Sequence, residues 1–144
     1  MTWTHLHDAC EHQDAKSVIA ISRLHSEEAF KADDHGYTPL HIMCWGNPNP
    51  QAVEALLHAY PQALTDQDVH GDTPLHIACR CPSTEKHLVQ ILLTSCPMAA
   101  SITNIEGLMP LHVACRYAPN NEGVIGLLVD TYPYALRSHI KVST

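Results

Sequence analysis

The chain has 144 residues, 45% of them hydrophobic, with 8 Lys and Arg against 15 Asp and Glu and a formal charge of −7. That apolar fraction excludes a disordered chain. The shortage of clustered cations excludes nucleic acid and anionic membrane surfaces as partners, since phosphate binding needs grouped Lys and Arg.

The length fits one domain with a substantial core. Met1 to Cys10 is polar and does not read as a signal peptide. No apolar run reaches the roughly 18 residues that span a bilayer. Twelve histidines make the surface charge depend on pH, with no further role required of them.

The first element begins at Thr4-His5-Leu6-His7 and reads as a short helix to about Glu11. A brief loop, His12 to Asp14, leads to a more apolar helix around Val18-Ile19-Ala20-Ile21. The second unit opens with a turn, Asp34-His35-Gly36-Tyr37, and then Thr38-Pro39-Leu40-His41. Gly36 suits a tight tip because glycine adopts positive φ without penalty. Thr38 reads as a helix N-cap and Pro39 as the first helical residue, where a missing N–H costs nothing. Leu40 anchors the core, and this helix is expected to run to about Trp45. Asn49-Pro50 starts a second helix carrying Val53 and Leu56-Leu57, which Pro61 ends.

The third unit repeats this order: Val69-His70-Gly71-Asp72, Thr73-Pro74-Leu75-His76, a helix to Arg80, then Leu88 to Leu93 and Pro97. The fourth has Ile105-Glu106-Gly107-Leu108, Met109-Pro110-Leu111-His112, a helix to Tyr117, then Val124 to Val129 and Pro133. Asp14, Ser83 and Asn120 are the expected caps of the second helices in their units. The four starts, Thr4, Thr38, Thr73 and Met109, lie 34, 35 and 36 residues apart. The first unit has Glu27 where the later ones carry proline.

A turn, a T-P-L-H helix, a loop and a longer apolar helix at this period resemble the ankyrin repeat. The resemblance covers Thr2 to about Leu136 as four repeats, near 2–34, 35–69, 70–104 and 105–140, in a single domain over 1–144. It implies an all-α solenoid of stacked helix pairs joined by short β-hairpin-like turns. One helix pair cannot bury its apolar face alone, so neighbours must cover it. The prolines closing the second helices and the longer interhelix loops depart from the common form. No polar C-terminal cap is visible: the tail Arg137 to Thr144 covers the last pair, the array continues, or the open end self-associates. A monomer is otherwise expected.

Cysteine forms a column, Cys10, Cys44, Cys79 and Cys115. Adjacent helices pack about 8–10 Å apart, too far for the roughly 7 Å limit between bridged Cα atoms. Buried free thiols are therefore expected, and with them a reducing, intracellular compartment, cytoplasmic or nuclear. Cys81, in a loop, is the most reactive candidate. Histidine forms a second column, His7, His41, His76 and His112, with cysteine three residues later in each repeat. Four identical two-ligand sites are less plausible as metal or redox centres than one repeated structural role. The resemblance implies that this histidine bonds the Thr and the neighbouring turn. No phosphate loop, G-x-S-x-G or H-E-x-x-H occurs, and neither catalysis nor a cofactor is expected.

The resemblance implies a partner protein bound on the concave face of hairpin tips and first helices. The positions there are Trp3, Tyr37, Asp72 and Leu108; the tips His35, His70 and Glu106; and Glu11, Trp45, Arg80 and Arg116, with Tyr117 beside the last. They change from repeat to repeat while the L-H-x-x-C frame stays fixed, and Trp, Tyr and Arg are favoured at interfaces. Arg80 and Arg116 are expected to grip a partner carboxylate. The alternatives are a regulatory or anchoring domain of a larger protein, or a Cys/His sensor.

Overall fold

The computed structural model describes residues 3–135. Among the described residues eight α-helices follow one another as four pairs: α1 (His5–Glu11) with α2 (Ala15–Leu24), α3 (Pro39–Met43) with α4 (Pro50–Ala59), α5 (Pro74–Arg80) with α6 (Lys86–Ser95), and α7 (Pro110–Tyr117) with α8 (Glu122–Thr131). No strand occurs among the described residues. The fold is the all-α repeat solenoid that the resemblance implied.

Each first helix is started by the T-P-L-H chemistry. The hydroxyls of Thr4, Thr38 and Thr73 accept the backbone N–H of His7, His41 and His76, at 3.2, 3.4 and 3.4 Å. The histidine returns the favour: its Nδ1 accepts the N–H of the capping residue, at 3.0 to 3.1 Å in all four repeats. This is a capping box with histidine at the third helical position. Met109 has no hydroxyl, so the fourth helix keeps only the imidazole half. Helix α3 is shorter than expected and stops at Met43, so Trp45 stands just past its end, before Gly46-Asn47-Pro48.

The second helices end at a residue that leaves helical conformation, with φ between −133° and −151°, and in the second and third repeats the proline that follows opens a 3-10 turn. Such turns span Pro61–Thr65 and Pro97–Ser101. They bury Ala63, Leu64, Ala99 and Ala100 under the helix pairs. In the first repeat the turn is Ser26–Phe30, so Ser26, not Glu27, holds the proline position. Two of the expected second-helix caps also move. Glu85 precedes α6 without a side-chain cap, and its N–H donates to Asn47 Oδ1 of the preceding loop at 3.0 Å. Asn121, next to the expected Asn120, caps α8 through Val124 N–H at 3.4 Å and donates back to the Thr84 carbonyl at 2.8 Å. The interhelix loops are thus stitched together.

The core is continuous along the stack. Leu6, Leu40, Leu75 and Leu111 are buried under the first helices, and Val18, Val53, Val89, Leu92 and Leu128 under the second. Burying each such side chain contributes roughly 1.5–3 kcal/mol. Cys10, Cys44 and Cys79 join this core as buried free thiols, and Cys115 is partly exposed. The tail Arg137 to Thr144, one expected cover of the last helix pair, lies outside the described residues.

Candidate partner-binding face

Three hairpins form one edge of the stack, and an Asp or Asn folds each. In the second hairpin Asp68 Oδ1 accepts the N–H groups of His70 and Asp72 at 2.8 and 3.1 Å. Asp33 and Asn104 do the same in their hairpins. These side chains mimic a backbone turn. The column Asp33, Asp68, Asn104 is visible in the spacing but was not among the expected site residues. Gly36 and Gly71 have φ of +81° and +75°, and a Cβ on either would lie 2.9 Å from Asp68 Cα or 2.7 Å from Ile105 N. Glycine is required there by conformation and by the next hairpin's approach. Successive hairpins bond directly, Val69 N–H to His35 O at 2.9 Å and Ile105 N–H to His70 O at 3.0 Å.

Beneath the hairpins runs the histidine column. Because Nδ1 accepts a backbone N–H, the proton sits on Nε2. In the first three repeats Nε2 then donates to a carbonyl of the following unit, His7 to Tyr37 at 2.8 Å, His41 to Asp72 at 2.9 Å and His76 to Leu108 at 2.9 Å, and in the fourth His112 donates to Ala135 of its own repeat at 2.7 Å. Both ring nitrogens are committed, which leaves neither for a metal. Burial holds His41 and His76 below the ordinary histidine range. Burial also pushes the Cys10 thiol up to about 12 and raises those of Cys44, Cys79 and Cys115. Cys81 is shifted the other way, chiefly by its contact with Ser83, at 3.2 Å. Asp8, Glu11 and His12 cluster with ligand-like spacing, but all three are exposed.

Six of the twelve expected positions meet in one groove of about 270 Å³: Tyr37, Trp45, His70, Asp72, Arg80 and Glu106. Asp68, Ile77 and Ile105 complete its lining. Trp45 is 48% exposed, and Ile105 at a hairpin tip is 72% exposed. Val69 holds the equivalent tip of the preceding hairpin and is also exposed. Neither Val69 nor Ile105 was expected at the site. The signal was present, since an apolar residue at a hairpin tip has no folding reason to be there.

Arg80 is engaged within the chain. Its guanidinium donates to Asp72 Oδ2 at 3.0 Å, and its Cζ lies 4.6 Å from the centroid of the Tyr117 ring. The other oxygen of Asp72 accepts from Asn104 Nδ2 at 3.0 Å. Arg116 faces Glu106 at 3.5 Å, in an exposed pair. Each arginine thus has a neighbouring acid from the hairpin edge within the chain itself. Asp72 and Leu108 are buried, and their carbonyls serve the histidine column. His35 borders Tyr37, with ring centroids 6.1 Å apart. Trp3 stands apart from the groove, stacked on His7 at 5.0 Å beside a separate depression with Glu28 and Lys31. Glu11 is exposed at the end of α1 and does not line the groove.

A larger cleft of about 690 Å³ lies on the other side, between α2 and α4, and includes Ser22, Arg23, Gln51, Glu54 and His58. Among the described residues the Ser22 hydroxyl is the buried side-chain oxygen without a hydrogen-bond partner.

Two family models match the sequence. Ankyrin repeats (many copies) match residues 21–78, and an ankyrin repeat matches residues 70–102. Together these matches cover more than half of the chain. No curated protein is similar enough to match.

Proposed function

The chain belongs to the ankyrin-repeat family, whose repeats are generally protein-interaction modules, and from that premise we propose that it binds a partner protein on the hairpin and first-helix face. The observation that carries this reading is the groove itself. Positions that vary across a fixed frame gather around one depression, with Trp45 and Ile105 exposed at its rim. Large apolar side chains ringed by charge mark contact surfaces.

The roles within that face are unequal. Trp45, Tyr117, His70 and Ile105 offer contact surface. Asp72, Arg80 and Asn104 hold the groove's floor in place. A polar network with each member bonded is rigid, which lowers the entropic cost of binding. The ankyrin-repeat reading assigns no reaction, and nothing in the groove arranges a nucleophile against a base. No helix among the described residues is long and apolar enough to cross a membrane.

A photo-crosslinking residue at the position of Trp45, and another at His58 on the opposite side, test the proposal in cells. A partner caught from the first position and not the second supports it. Crosslinks from His58 alone sink it, and so does full capture by a Trp45→Ala variant.

A further inference from the structure

Resting on the partner-binding face proposed above, we infer that the groove between Trp45 and Glu106 receives a Lys or Arg side chain carried by an apolar segment of the partner protein. The argument starts from the balance of charge. The groove is lined by three carboxylates, Asp68, Asp72 and Glu106, against one guanidinium, Arg80. Arg80 is matched to Asp72 beneath it, and Glu106 to Arg116 at a longer 3.5 Å across solvent. Asp68 makes no ion pair among the described residues; its buried carboxylate accepts turn N–H groups. Asp33, folding the neighbouring hairpin, adds another carboxylate to the same edge. The net field in the groove is therefore negative.

The Tyr37 side chain stands in the wall of the same groove. The Tyr37 hydroxyl is raised above the ordinary phenol range, first by burial and then by Asp68, Asp33 and Asp72, with Arg80 opposing. The carboxylates outweigh the guanidinium there.

The second line of argument is the aromatic lining. Tyr37 and Trp45 face a groove that also holds acids, and the face of an aromatic ring attracts a cation. The chain shows the arrangement at work one step away, where Arg80 sits between Asp72 and the Tyr117 ring. The third is the apolar rim. Val69 and Ile105 are 54% and 72% exposed at adjacent hairpin tips, so the segment entering beside them gains by being apolar around its cation. An acidic segment would meet uncompensated carboxylates and an exposed hydrophobic edge at once.

Panning a phage library of random dodecapeptides on the full chain tests this, with a Trp45→Ala/Glu106→Gln variant as the counter-screen. Both sites are exposed, and a thermal melt of the variant confirms that it folds. Peptides that bind the chain and not the variant are expected to be enriched in Lys or Arg next to aliphatic or aromatic residues. Replacing that cation by Gln should weaken binding to the chain at least tenfold and to the variant less than twofold. Raised salt should weaken it further. Face-specific peptides of neutral or acidic composition overturn the inference and leave the binding face standing. Peptides that bind chain and variant alike, or none at all, count against both.

Discussion

On the hairpin side, neighbouring repeats are joined by directed hydrogen bonds: an imidazole to a carbonyl at each of the three seams, and one hairpin backbone to the next. On the side of the second helices, the helix bodies of the same repeats meet through Val53, Leu56, Leu57, Val89, Leu92 and Leu93, and the bonds between repeats sit only at their leading loops, Asn47 to Glu85 and Asn121 to Thr84, among the described residues. Hydrogen bonds fix geometry and leave little tolerance, because an orphaned buried group costs its full desolvation. Apolar contact is permissive, so the outer side accepts an ill-fitting residue such as Ser22 and an open cleft. The variable residues of the candidate site stand on the rigid side.

Mutation can break this contrast where it is strongest. His76→Ala strands the Thr73 N–H and the Leu108 carbonyl and opens a void, and should destabilise by about 4 kcal/mol. Leu92→Ala on the outer side should cost about 3 kcal/mol from packing alone. Urea denaturation measures both. If His76→Ala costs less than 1 kcal/mol, the ladder is not what holds the hairpin edge.

Acid separates the two sides more finely. Folding keeps His41 and His76 neutral, so the unfolded chain binds protons that the folded chain refuses. Their contribution is complete above about pH 6.5, the free histidine value, and is lost as pH falls below it toward the lowered folded-state values. The urea midpoint should drop between pH 7.5 and 5.5. A His41→Gln/His76→Gln variant should show a shallower drop, and Leu92→Ala should keep the parental slope. Parallel slopes in all three would place the acid sensitivity elsewhere.

Repair gives smaller effects of opposite sign. Ser22 stands where Leu57 and Leu93 stand in the next two repeats, and its hydroxyl is buried without a partner. Ser22→Leu should stabilise by about 1 kcal/mol, seen as a higher melting temperature. A lower one would mean that the cleft beside it cannot take the side chain. Met109→Thr restores the missing hydroxyl arm of the fourth cap and should add about 0.5 kcal/mol. No gain would show that the imidazole arm suffices.

The frame was legible because it rests on local chemistry. Thr38, Pro39 and the glycine of each hairpin act within a few residues of themselves, and spacing alone aligns them. The cysteine column read correctly as core for Cys10, Cys44 and Cys79 for the same reason. The pairing of Arg80 with Asp72 was not legible. Eight residues separate them, and they meet only when the hairpin folds back over its own helix. The same fold buries Leu108 and leaves Ile105 outside, three positions away. The early end of α3 at Met43 was missed because its sequence continues in helical style to Trp45, and the Gly46-Asn47-Pro48 stretch reaches back further than the pattern suggested.

The histidine ladder also gives the stack a sense of direction. At each seam the imidazole donates toward the higher-numbered neighbour, and none toward the lower. Trimming is therefore not symmetric. Cutting away the leading helix pair uncovers apolar surface on α3 and α4, as any cut does, but of the ladder it frees only a carbonyl at Tyr37, on a half-exposed hairpin where water can reach it. Cutting away a trailing pair strips the acceptor from a buried N–H and unsettles the cap behind it. Minimal fragments of this chain are better sought by shortening it from the front.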